Sequence, residues 1–298
     1  MPIDLHGHPL SLLTVHAHPD DESSKGAATV ARYVGEGVRA VLVCCTGGEQ
    51  GDILNPVMDT PEVRADLPAV RRRELETATG IIGYHEVVHL GYRDSGMPGT
   101  EANADPRSFA RAELAGAVGR LTAIIRRVRP QVLVTYADDQ QGYPHPDHLR
   151  VHEISLPAVD AAADPAAPGE AEAWEVAKIY YVSWSRARIV AMHEKFLELG
   201  LTSPFDNAWF ERPSADERIT TRIDVSSVAD VRRDALLAHA TQVDPTSPFW
   251  FGLPPEVARE VYPIEDYQLA RSTVPTALAE DDLFAGVRGR VAGADHVR

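Results

Sequence analysis

Two short segments of the chain combine histidines with carboxylates in a pattern that suits a divalent metal. The first is AHPDDE at residues 17–22, and the second is YPHPDH at residues 143–148. Zinc accepts histidine nitrogen and aspartate oxygen ligands, and a catalytic zinc keeps three protein ligands and one open position for water. Either segment alone could instead start a helix, because proline and acidic residues are favoured in a first turn. Together they indicate two halves of one metal site.

His18 and Asp21, three residues apart on one loop, can chelate a single zinc ion, and His148 from the second segment completes the set. A zinc ion held there would lower the pKa of a bound water towards ~7 and polarise a carbonyl group. Asp20 lies between the first two ligands and stays free to act as the general base for that water. These roles predict metal-assisted hydrolysis of an amide.

The second segment supplies further groups for that reaction. His145, if it is cationic, can stabilise the tetrahedral oxyanion or protonate the leaving amine, and Tyr143 offers a hydroxyl to the same oxyanion. Asp147 is suited to orient a histidine through a hydrogen bond. His16 alternates with His18 on the preceding strand and is a weaker candidate ligand. The histidines without a carboxylate-rich loop are expected to have ordinary surface or core roles: His6, His8, His85, His89, His152 and His193.

Both segments follow apolar runs that predict β-strands, at residues 10–16 and 131–136. Strand and helix patterns alternate through the first two-thirds of the chain, which predicts an α/β, Rossmann-like fold with a mostly parallel sheet flanked by helices. In the common strand order 3-2-1-4-5, strands one and four are neighbours where the chain order reverses, and ligands bind at the carboxyl ends of such strands. We therefore expect the two segments to meet, although they lie far apart in sequence.

The organisation of the whole chain follows from the same patterns. The predicted strands are residues 10–16, 38–45, 86–90, 131–136, 178–184 and 218–225. The predicted helices are residues 24–35, 69–80, 107–127, 148–159, 189–199 and 228–241. Residues 52–68 form a long connection of the kind that often serves as a lid, and residues 161–172 form a flexible surface insertion. We expect a single domain over residues 1–286, in which residues 200–286 elaborate the same site, and a disordered tail over residues 287–298.

Composition excludes several classes of function. With 44 acidic and 29 basic residues among 298, the net charge of −15 disfavours binding to nucleic acid. The chain has no apolar run of roughly 18 residues and no basic, then apolar, N-terminus, so neither a membrane span nor a signal peptide is expected. Cys44 and Cys45 would point to opposite faces of a strand, which disfavours a disulfide and fits a reducing cytosol. After the first strand, where a dinucleotide-binding site has the motif G-x-G-x-x-G, this chain has HPDDE. The sequence therefore argues against binding of a dinucleotide.

The two segments together resemble the zinc-dependent N-deacetylase superfamily of the GlcNAc-phosphatidylinositol deacetylase type. The matching stretches run from about Val15 to Pro245: VHAHPDDESSKGAAT, TGGEQGDILNP, RDSGMP, GYPHPDH and HATQVDP. Within the superfamily the chain is most similar to the actinobacterial amidases of mycothiol S-conjugates. The resemblance implies one Zn²⁺ per chain on the same three ligands, and the same roles for Asp20, His145 and Tyr143.

The resemblance also implies contacts to the substrate. Arg71 and Asp94 would contact its glucosaminyl-inositol part, although Arg71 could equally lie on an exposed helical turn and Asp94 could cap a turn. His239 and Gln242, from the HATQ stretch, would line the cavity or pack their helix against it. Lys25 matches the amidase pattern, whereas the related deacetylases of mycothiol biosynthesis lack a lysine there. Its cation could attract the acyl-cysteine of a thiol conjugate; the alternative is solvent exposure, which the helix dipole disfavours.

The favoured function is a zinc amidase that cleaves mycothiol S-conjugates to an N-acetylcysteine S-conjugate and glucosaminyl-inositol, in detoxification or in processing of a thiol-conjugated natural product. The alternatives are an N-acetylglucosaminyl-inositol deacetylase and a metal-binding module without turnover, against which a free Asp20 argues. The S-substituent is expected to meet the apolar residues Trp209, Phe249, Trp250 and Phe251. The expected partner is a small molecule and neither nucleic acid nor membrane. The sequence leaves open Fe²⁺ in place of zinc, the S-substituent and a homo-oligomeric state.

Overall fold

The computed structural model describes residues 1–140 and 143–289. Its strands are β1 (Ser11–His16), β2 (Arg39–Thr46), β3 (Glu86–Tyr92), β4 (Val132–Thr135), β5 (Lys178–Ser183), β6 (Thr221–Asp224) and β7 (Ile264–Ser272). Its helices are α1 (Asp21–Ser24), α2 (Ala27–Gly35), α3 (Pro61–Ala65), α4 (Leu67–Ile82), α5 (Glu101–Ala104), α6 (Leu114–Val128), α7 (Pro146–Ala163), α8 (Arg186–Glu198), α9 (Asn207–Glu211), α10 (Ala229–Ala238), α11 (Pro248–Phe251) and α12 (Pro255–Val261). Short 3-10 turns cover Phe109–Arg111, Asp216–Arg218 and Ser226–Val228.

The seven strands form one sheet in the order β3-β2-β1-β4-β5-β7-β6. The strands from β3 to β5 in this order are parallel, whereas β7 pairs antiparallel with both β5 and β6. The predicted α/β class and the predicted strand order 3-2-1-4-5 are confirmed. Leu12 pairs with Val132 and Thr14 with Val134, so β1 and β4 are direct neighbours and their carboxyl ends lie side by side.

Alternate residues of β1 belong to two separate hydrophobic cores, one on each face of the sheet. Leu13 packs in the core that contains Leu121 of α6 and Val151 of α7. Leu12 packs in the opposite core with Val30 of α2. Because all six residues of β1 are buried, the strand is a rigid support for the loop that follows it.

The helix predicted over residues 24–35 is instead two helices, α1 and α2. Lys25 and Gly26 separate them, and Gly26 has φ 102°, a left-handed conformation that glycine adopts readily. The chain therefore turns sharply just after the first histidine segment, which places Lys25 on a corner and not on a regular helical face.

β7 was not predicted, because its sequence carries charged residues where an apolar strand was sought. Glu265 and Asp266 are nevertheless buried. Glu265 accepts the backbone N–H of Thr29, in the first turn of α2, at 2.8 Å. Asp266 accepts the hydroxyl of Ser185, the N-cap of α8, at 2.6 Å. Contacts at the starts of two helices thus satisfy both carboxylates, and such contacts are not visible in a local pattern.

Arginines hold two segments that were expected to be loosely attached. α7 extends into the predicted insertion, and Arg126 donates hydrogen bonds to backbone carbonyls there, including that of Asp164 at 2.7 Å. At the C-terminus, Val287 is buried and Arg288 pairs with Asp282 at 2.7 Å, so the packed chain passes the predicted boundary at residue 286. Residues 290–298, most of the predicted tail, lie outside the described residues.

Two further expectations concern the thiols and the membrane. Cys44 and Cys45 are both buried free thiols, and they pack in different hydrophobic clusters. Within residues 1–140 and 143–289, every helix is too short or too polar to span a lipid bilayer.

Candidate metal centre and active-site cavity

The loops that follow β1 and β4 meet at the carboxyl edge of the sheet, as the strand order predicted. The first leads from β1 into α1, and the second leads from β4 into α7, whose first turn carries Asp147 and His148. The ring centroids of His18 and His148 lie 5.3 Å apart. His18, Asp21 and His148 are all buried. Residues more than a hundred positions apart in sequence are thus brought together.

The donor atoms of His18, Asp21 and His148 converge. Nδ1 of His18 and Nε2 of His148 each lie 3.4 Å from Oδ2 of Asp21, and all three donors lie within 4.8 Å of one another. A tetrahedral ion with bonds of ~2.05 Å separates its ligand atoms by about 3.3 Å. The spacing therefore fits one small divalent ion, and all three side chains border the same cavity.

A second group of possible donors, formed by His18, Asp94, His145 and Asp147, adjoins the first. Asp147 accepts hydrogen bonds from the backbone N–H of Ser95 at 2.9 Å and from the Ser95 hydroxyl. Its Oδ2 also lies 3.2 Å from Nε2 of His18. A proton on Nε2 leaves the lone pair of Nδ1 directed at the first group. The contacts of Asp147 thus match the predicted role of orienting a histidine.

Burial and charge set the protonation of the three donors. Burial lowers the pKa of His148 to about 4, so that its nitrogen carries a free lone pair at neutral pH. Burial would raise the pKa of Asp21, but the charge of Lys25 and the contact with His148 hold it well below its usual value. Burial would likewise lower the pKa of His18, yet hydrogen bonds to Asp147 and Asp21 raise it to about 10. A metal that binds here displaces a proton from His18.

Asp20 lies between two donor residues but faces a different partner. Its φ of 113° is in the left-handed region, which aspartate tolerates better than most residues. Its backbone N–H donates to Oε2 of Glu22 at 2.9 Å, and its own Oδ2 lies 2.9 Å from Nη2 of Arg71. Burial raises the pKa of Asp20, and the charge of Arg71 opposes that shift. A cavity carboxylate with a raised pKa beside a metal site is suited to accept a proton.

Arg71 is only 2% exposed, so the alternative of an exposed helical turn is wrong. Its guanidinium donates to the carbonyl oxygens of Pro19 and Gly48 as well as to Asp20. A Cβ on Gly48 would overlap this guanidinium, and a Cβ on Gly51 would lie 2.6 Å from Nη1. The glycines after β2 therefore make room for Arg71. The arginine also borders the cavity, but its contacts fix Asp20 in place.

His145 and Tyr143 border the cavity beside His148. Nδ1 of His145 accepts the backbone N–H of Asp147 at 3.2 Å and caps α7, which leaves Nε2 to act on a substrate. Burial and the positive charge of His18 lower the pKa of His145, which argues against a permanently cationic ring. Tyr143 is 54% exposed, so its hydroxyl is accessible.

Asp94 and Lys25 also border the cavity. Asp94 accepts the backbone N–H of Gly96 at 2.8 Å, so it caps a turn, as the alternative proposed, while it faces the site. Nζ of Lys25 lies 2.6 Å from Oδ1 of Asp21. Lys25 is therefore not simply exposed to solvent, because its ammonium group contacts the carboxylate of a candidate ligand.

The structure separates the two residues of the HATQ stretch. Gln242 borders the cavity, and its amide donates to the carbonyl of Asp52 at 3.1 Å. His239 is fully buried and is not part of the lining, so the prediction of a substrate contact is wrong for it. α10 ends at Ala238, and His239 turns inwards to place Nε2 2.7 Å from Oε1 of Glu22. Since Glu22 also accepts the N–H of Asp20, His239 stabilises the loop that carries Asp20.

Sequence reasoning missed Tyr136, which directly follows β4. Its ring stacks on that of His148, with centroids 4.5 Å apart and planes 8° apart, and it borders the cavity. Its hydroxyl lies 3.2 Å from Nδ1 of His16. This contact directs His16 away from the donor group, in which it takes no part among the described residues. The available signal was an aromatic residue at the carboxyl end of a central strand.

The cavity has a volume of about 680 Å³ and two chemically different groups of lining residues. The candidate metal ligands and Asp20 form one group, and we call their part of the cavity the metal end. The other, which we call the aromatic end, is bordered by Trp184, Trp209, Phe249 and Trp250. Three of these residues were expected. Phe251 is not part of the lining, and Trp184, which had been assigned to the fifth strand, takes part because β5 ends at Ser183.

The chain is similar to several known proteins. The GlcNAc-PI de-N-acetylase family (PIG-L) matches residues 13–159, which contain both histidine segments. A mycothiol S-conjugate amidase from Streptomyces coelicolor is 45% identical over 290 residues, covering 94% of this chain and 98% of that protein. A 1D-myo-inositol 2-acetamido-2-deoxy-alpha-D-glucopyranoside deacetylase from Geodermatophilus obscurus is 44% identical over 292 residues, covering 93% of this chain and 98% of that protein.

Among solved structures, the N,N'-diacetylchitobiose deacetylase from Pyrococcus horikoshii superimposes with a TM-score of 0.58. The alignment covers 87% of this chain and 83% of that one at 17% sequence identity. At this identity the likeness concerns the fold alone.

Proposed function

The chain belongs to the GlcNAc-PI de-N-acetylase family, and on that premise we propose that it is a zinc amidase of mycothiol S-conjugates. It is a metal-dependent hydrolase of the amidase and deacetylase type. In the proposed reaction, water cleaves the amide between the glucosamine nitrogen and an S-substituted N-acetylcysteine. The products are an N-acetylcysteine S-conjugate and glucosaminyl-inositol.

His18, Asp21 and His148 would hold the metal. Two imidazole nitrogens each lie 3.4 Å from the carboxylate oxygen of Asp21. This set of three donors suits zinc, and Fe²⁺ accepts a similar set. When bound, the metal supplies a Lewis acid for the amide carbonyl and increases the acidity of the attacking water. Asp147 fixes the ring of His18 for this purpose through the contact at Nε2.

Asp20 accepts the proton of the attacking water. Arg71 binds its Oδ2, and we assign Oδ1 to the proton. Burial raises the pKa of Asp20. The protonated carboxyl is therefore stable enough to donate its proton when the amide breaks. The strained backbone of Asp20, with φ 113°, keeps its carboxylate on the cavity side and not among the metal ligands.

His145 and Tyr143 act on the other side of the amide. His145 donates a hydrogen bond from Nε2 to the oxygen that becomes negatively charged, while its Nδ1 stays fixed on the backbone of α7. Tyr143 donates its hydroxyl to the oxygen that becomes negatively charged. Asp20 passes the proton that it takes from water to the departing amine, so the chain ends the reaction in its starting protonation state.

The two-ended cavity supports the choice of substrate. An N-acetyl group places only a methyl group on the acyl side of the bond, which leaves the aromatic end in contact with water. An S-substituted N-acetylcysteine extends further and can bury those rings. Lys25 adds support, since it borders the cavity at the position where the resemblance to the amidases implies a lysine.

Deacetylation of N-acetylglucosaminyl-inositol is the second candidate. The Geodermatophilus obscurus deacetylase is 44% identical to this chain, against 45% for the Streptomyces coelicolor amidase. Asp20 and His145 would have the same roles in either reaction, so the metal end does not discriminate between the two.

A direct competition between substrates tests the proposal. Purified protein of known metal content is assayed on the bimane S-conjugate of mycothiol and on N-acetylglucosaminyl-inositol, and kcat/KM is compared. We expect the conjugate to be favoured at least tenfold. Equal values, or a preference for the acetylated sugar, would overturn the amidase proposal in favour of the deacetylase.

A further inference from the structure

The residues of the aromatic end follow the segment that the family model matches. Residues 13–159 match the family, whereas Trp184 follows β5, Trp209 lies on α9, and Phe249 and Trp250 lie on α11. The residues proposed for the reaction and those of the aromatic end therefore lie in different parts of the chain. The rings that have converged here are a feature of this chain's C-terminal half.

The four rings form one continuous wall. Phe249 is near-parallel to Trp184, with centroids 5.9 Å apart and planes 5° apart, and to Trp209, at 5.5 Å and 30°. Trp250 stands perpendicular to Phe249 at 4.7 Å. Flat faces and ring edges in this arrangement fit another aromatic ring, which pairs with such rings at centroid distances of ~4.5–7 Å. Each such pair adds about 2- to 12-fold in affinity beyond that of apolar burial.

Guanidinium groups surround this wall. Arg212 borders the cavity with its Cζ 4.0 Å from the Trp209 ring. Arg188 and Arg232 lie over Trp184 at 5.1 and 5.3 Å. Among the described residues, no carboxylate oxygen lies within 4.0 Å of the guanidinium nitrogens of these three arginines. The carboxylates of Glu265 and Asp266 act on the charge of Arg188, so Arg212, which is exposed, is the guanidinium available to a ligand in the cavity.

The metal end has the opposite character. Asp20, Asp21 and Asp94 all border it, and the one lysine there, Lys25, is paired with Asp21 at 2.6 Å. Arg71 and Lys25, the cations at this end, are already paired with Asp20 and Asp21 and are not free to bind an acidic group of a substrate. At the aromatic end, Arg212 borders the cavity and can bind a carboxylate with two parallel hydrogen bonds.

We propose that the aromatic end binds an S-substituent made of a planar aromatic ring that carries an acidic group, with the ring on Trp209 and Phe249 and the acid on Arg212. This inference rests on the proposed function, because it names the substituent of the thiol conjugate. The substrate class is thus the S-conjugates of aromatic acids.

Three matched mycothiol conjugates test the inference: S-methyl, S-benzyl and S-(4-carboxybenzyl). We expect kcat/KM to be at least tenfold higher for benzyl than for methyl, and about threefold higher again for carboxybenzyl, the usual strength of an exposed ion pair. Arg212→Gln should abolish the preference for carboxybenzyl over benzyl. Arg129→Gln is the matched control, since Arg129 also stacks on an indole, that of Trp174 at 4.7 Å, away from the cavity. It should retain the preference.

A binding measurement separates this inference from the proposed function. Three of the four tryptophans of the chain border the cavity, so quenching of their fluorescence reports binding of the three corresponding N-acetylcysteine S-conjugates. Selective binding without cleavage overturns the amidase proposal and retains the subsite. Cleavage of all three conjugates at equal kcat/KM overturns the subsite and retains the amidase. A benzyl preference without a further carboxylate preference overturns the acidic part of the inference.

Discussion

The carboxylate of Asp20 and the guanidinium of Arg71 form an ion pair of 2.9 Å that fixes the proposed base beside the metal ligands. Arg71 reaches this position because Gly48 and Gly51 leave space for it. It also binds the carbonyl of Pro19, the residue just before Asp20. The base is therefore held at both its backbone and its side chain by one residue of α4.

This relationship makes Gly51 a remote determinant of catalysis. In Gly51→Ala the new Cβ would lie 2.6 Å from Nη1 of Arg71 and 2.7 Å from Oε1 of Gln242, so the guanidinium must shift. We expect kcat to fall ~10–100-fold, the value of a hydrogen bond to a charged group, with metal content unchanged. Gly119→Ala, on α6 where a Cβ meets no atom within 4 Å, should keep full activity. Equal activity of both variants would show that Arg71 does not position Asp20.

Replacing Asp20 with Asn tests the base itself. The amide keeps the size and the contact with Arg71 but accepts no proton, so we expect kcat to fall ~10²- to 10⁴-fold. Metal content per chain should equal that of the unaltered protein, because Asp20 is not among the converging donors. Asp230→Asn is the control, because Asp230 is half-exposed and pairs with Arg259 at the surface. Loss of the metal together with activity would instead make Asp20 a ligand.

Removal of His148 should remove the metal. With one of three donors absent from the group, His148→Ala is expected to retain less than about a tenth of the metal of the unaltered protein after dialysis. Its melting temperature should no longer rise when Zn²⁺ is added, because a ligand stabilises only a protein that binds it. His89→Ala, on the exposed side of β3, should bind metal normally. Full metal content in His148→Ala would move the centre to the neighbouring donor group.

The metal end was predictable because its information is local. Residues 17–22 and 143–148 carry the right donor types, and both follow apolar strands whose order in an α/β sheet has few alternatives. The observed pairing of Leu12 with Val132 confirms that order. The family was likewise predicted from these segments and is confirmed.

The remaining features depend on contacts that no local pattern records. His239 was expected on a helical face, but α10 ends one residue earlier and turns it towards Glu22. Arg71 looked like part of a polar helical turn, and only the position of Gly48 reveals where its side chain goes. β7 was missed because its buried carboxylates, such as Glu265, are satisfied by a distant helix start.

Lys25 should influence the choice of acyl group. Its Nζ is 2.6 Å from Oδ1 of Asp21 and its side chain borders the cavity. In Lys25→Met we expect kcat/KM for a mycothiol conjugate to fall at least tenfold, and that for N-acetylglucosaminyl-inositol to fall less than threefold, because only the longer acyl group reaches the lysine. Metal content is measured alongside. An equal fall for both substrates would mean that Lys25 acts through Asp21 alone.

The three lysines of the chain have different surroundings. Lys178, at the start of β5, is fully buried and pairs with Glu280, which also accepts the hydroxyl of Tyr180 at 2.7 Å. Nζ of Lys178 is 3.2 Å from the carbonyl of Ala285. The pair therefore fastens the C-terminal segment to the sheet beside β7, which borders the cavity through Gln268.

Breaking this pair should destabilise the protein more than any surface charge. Glu280→Gln leaves the ammonium of Lys178 buried without a counter-charge, and we expect the free energy of unfolding in urea to fall by ~3–5 kcal/mol. Lys195→Met removes a partly exposed lysine paired with Glu198 and should change it by less than about 1 kcal/mol. The double variant Lys178→Met, Glu280→Leu, which removes both charges together, should recover most of the loss. Similar losses in Glu280→Gln and Lys195→Met would show that water reaches Lys178.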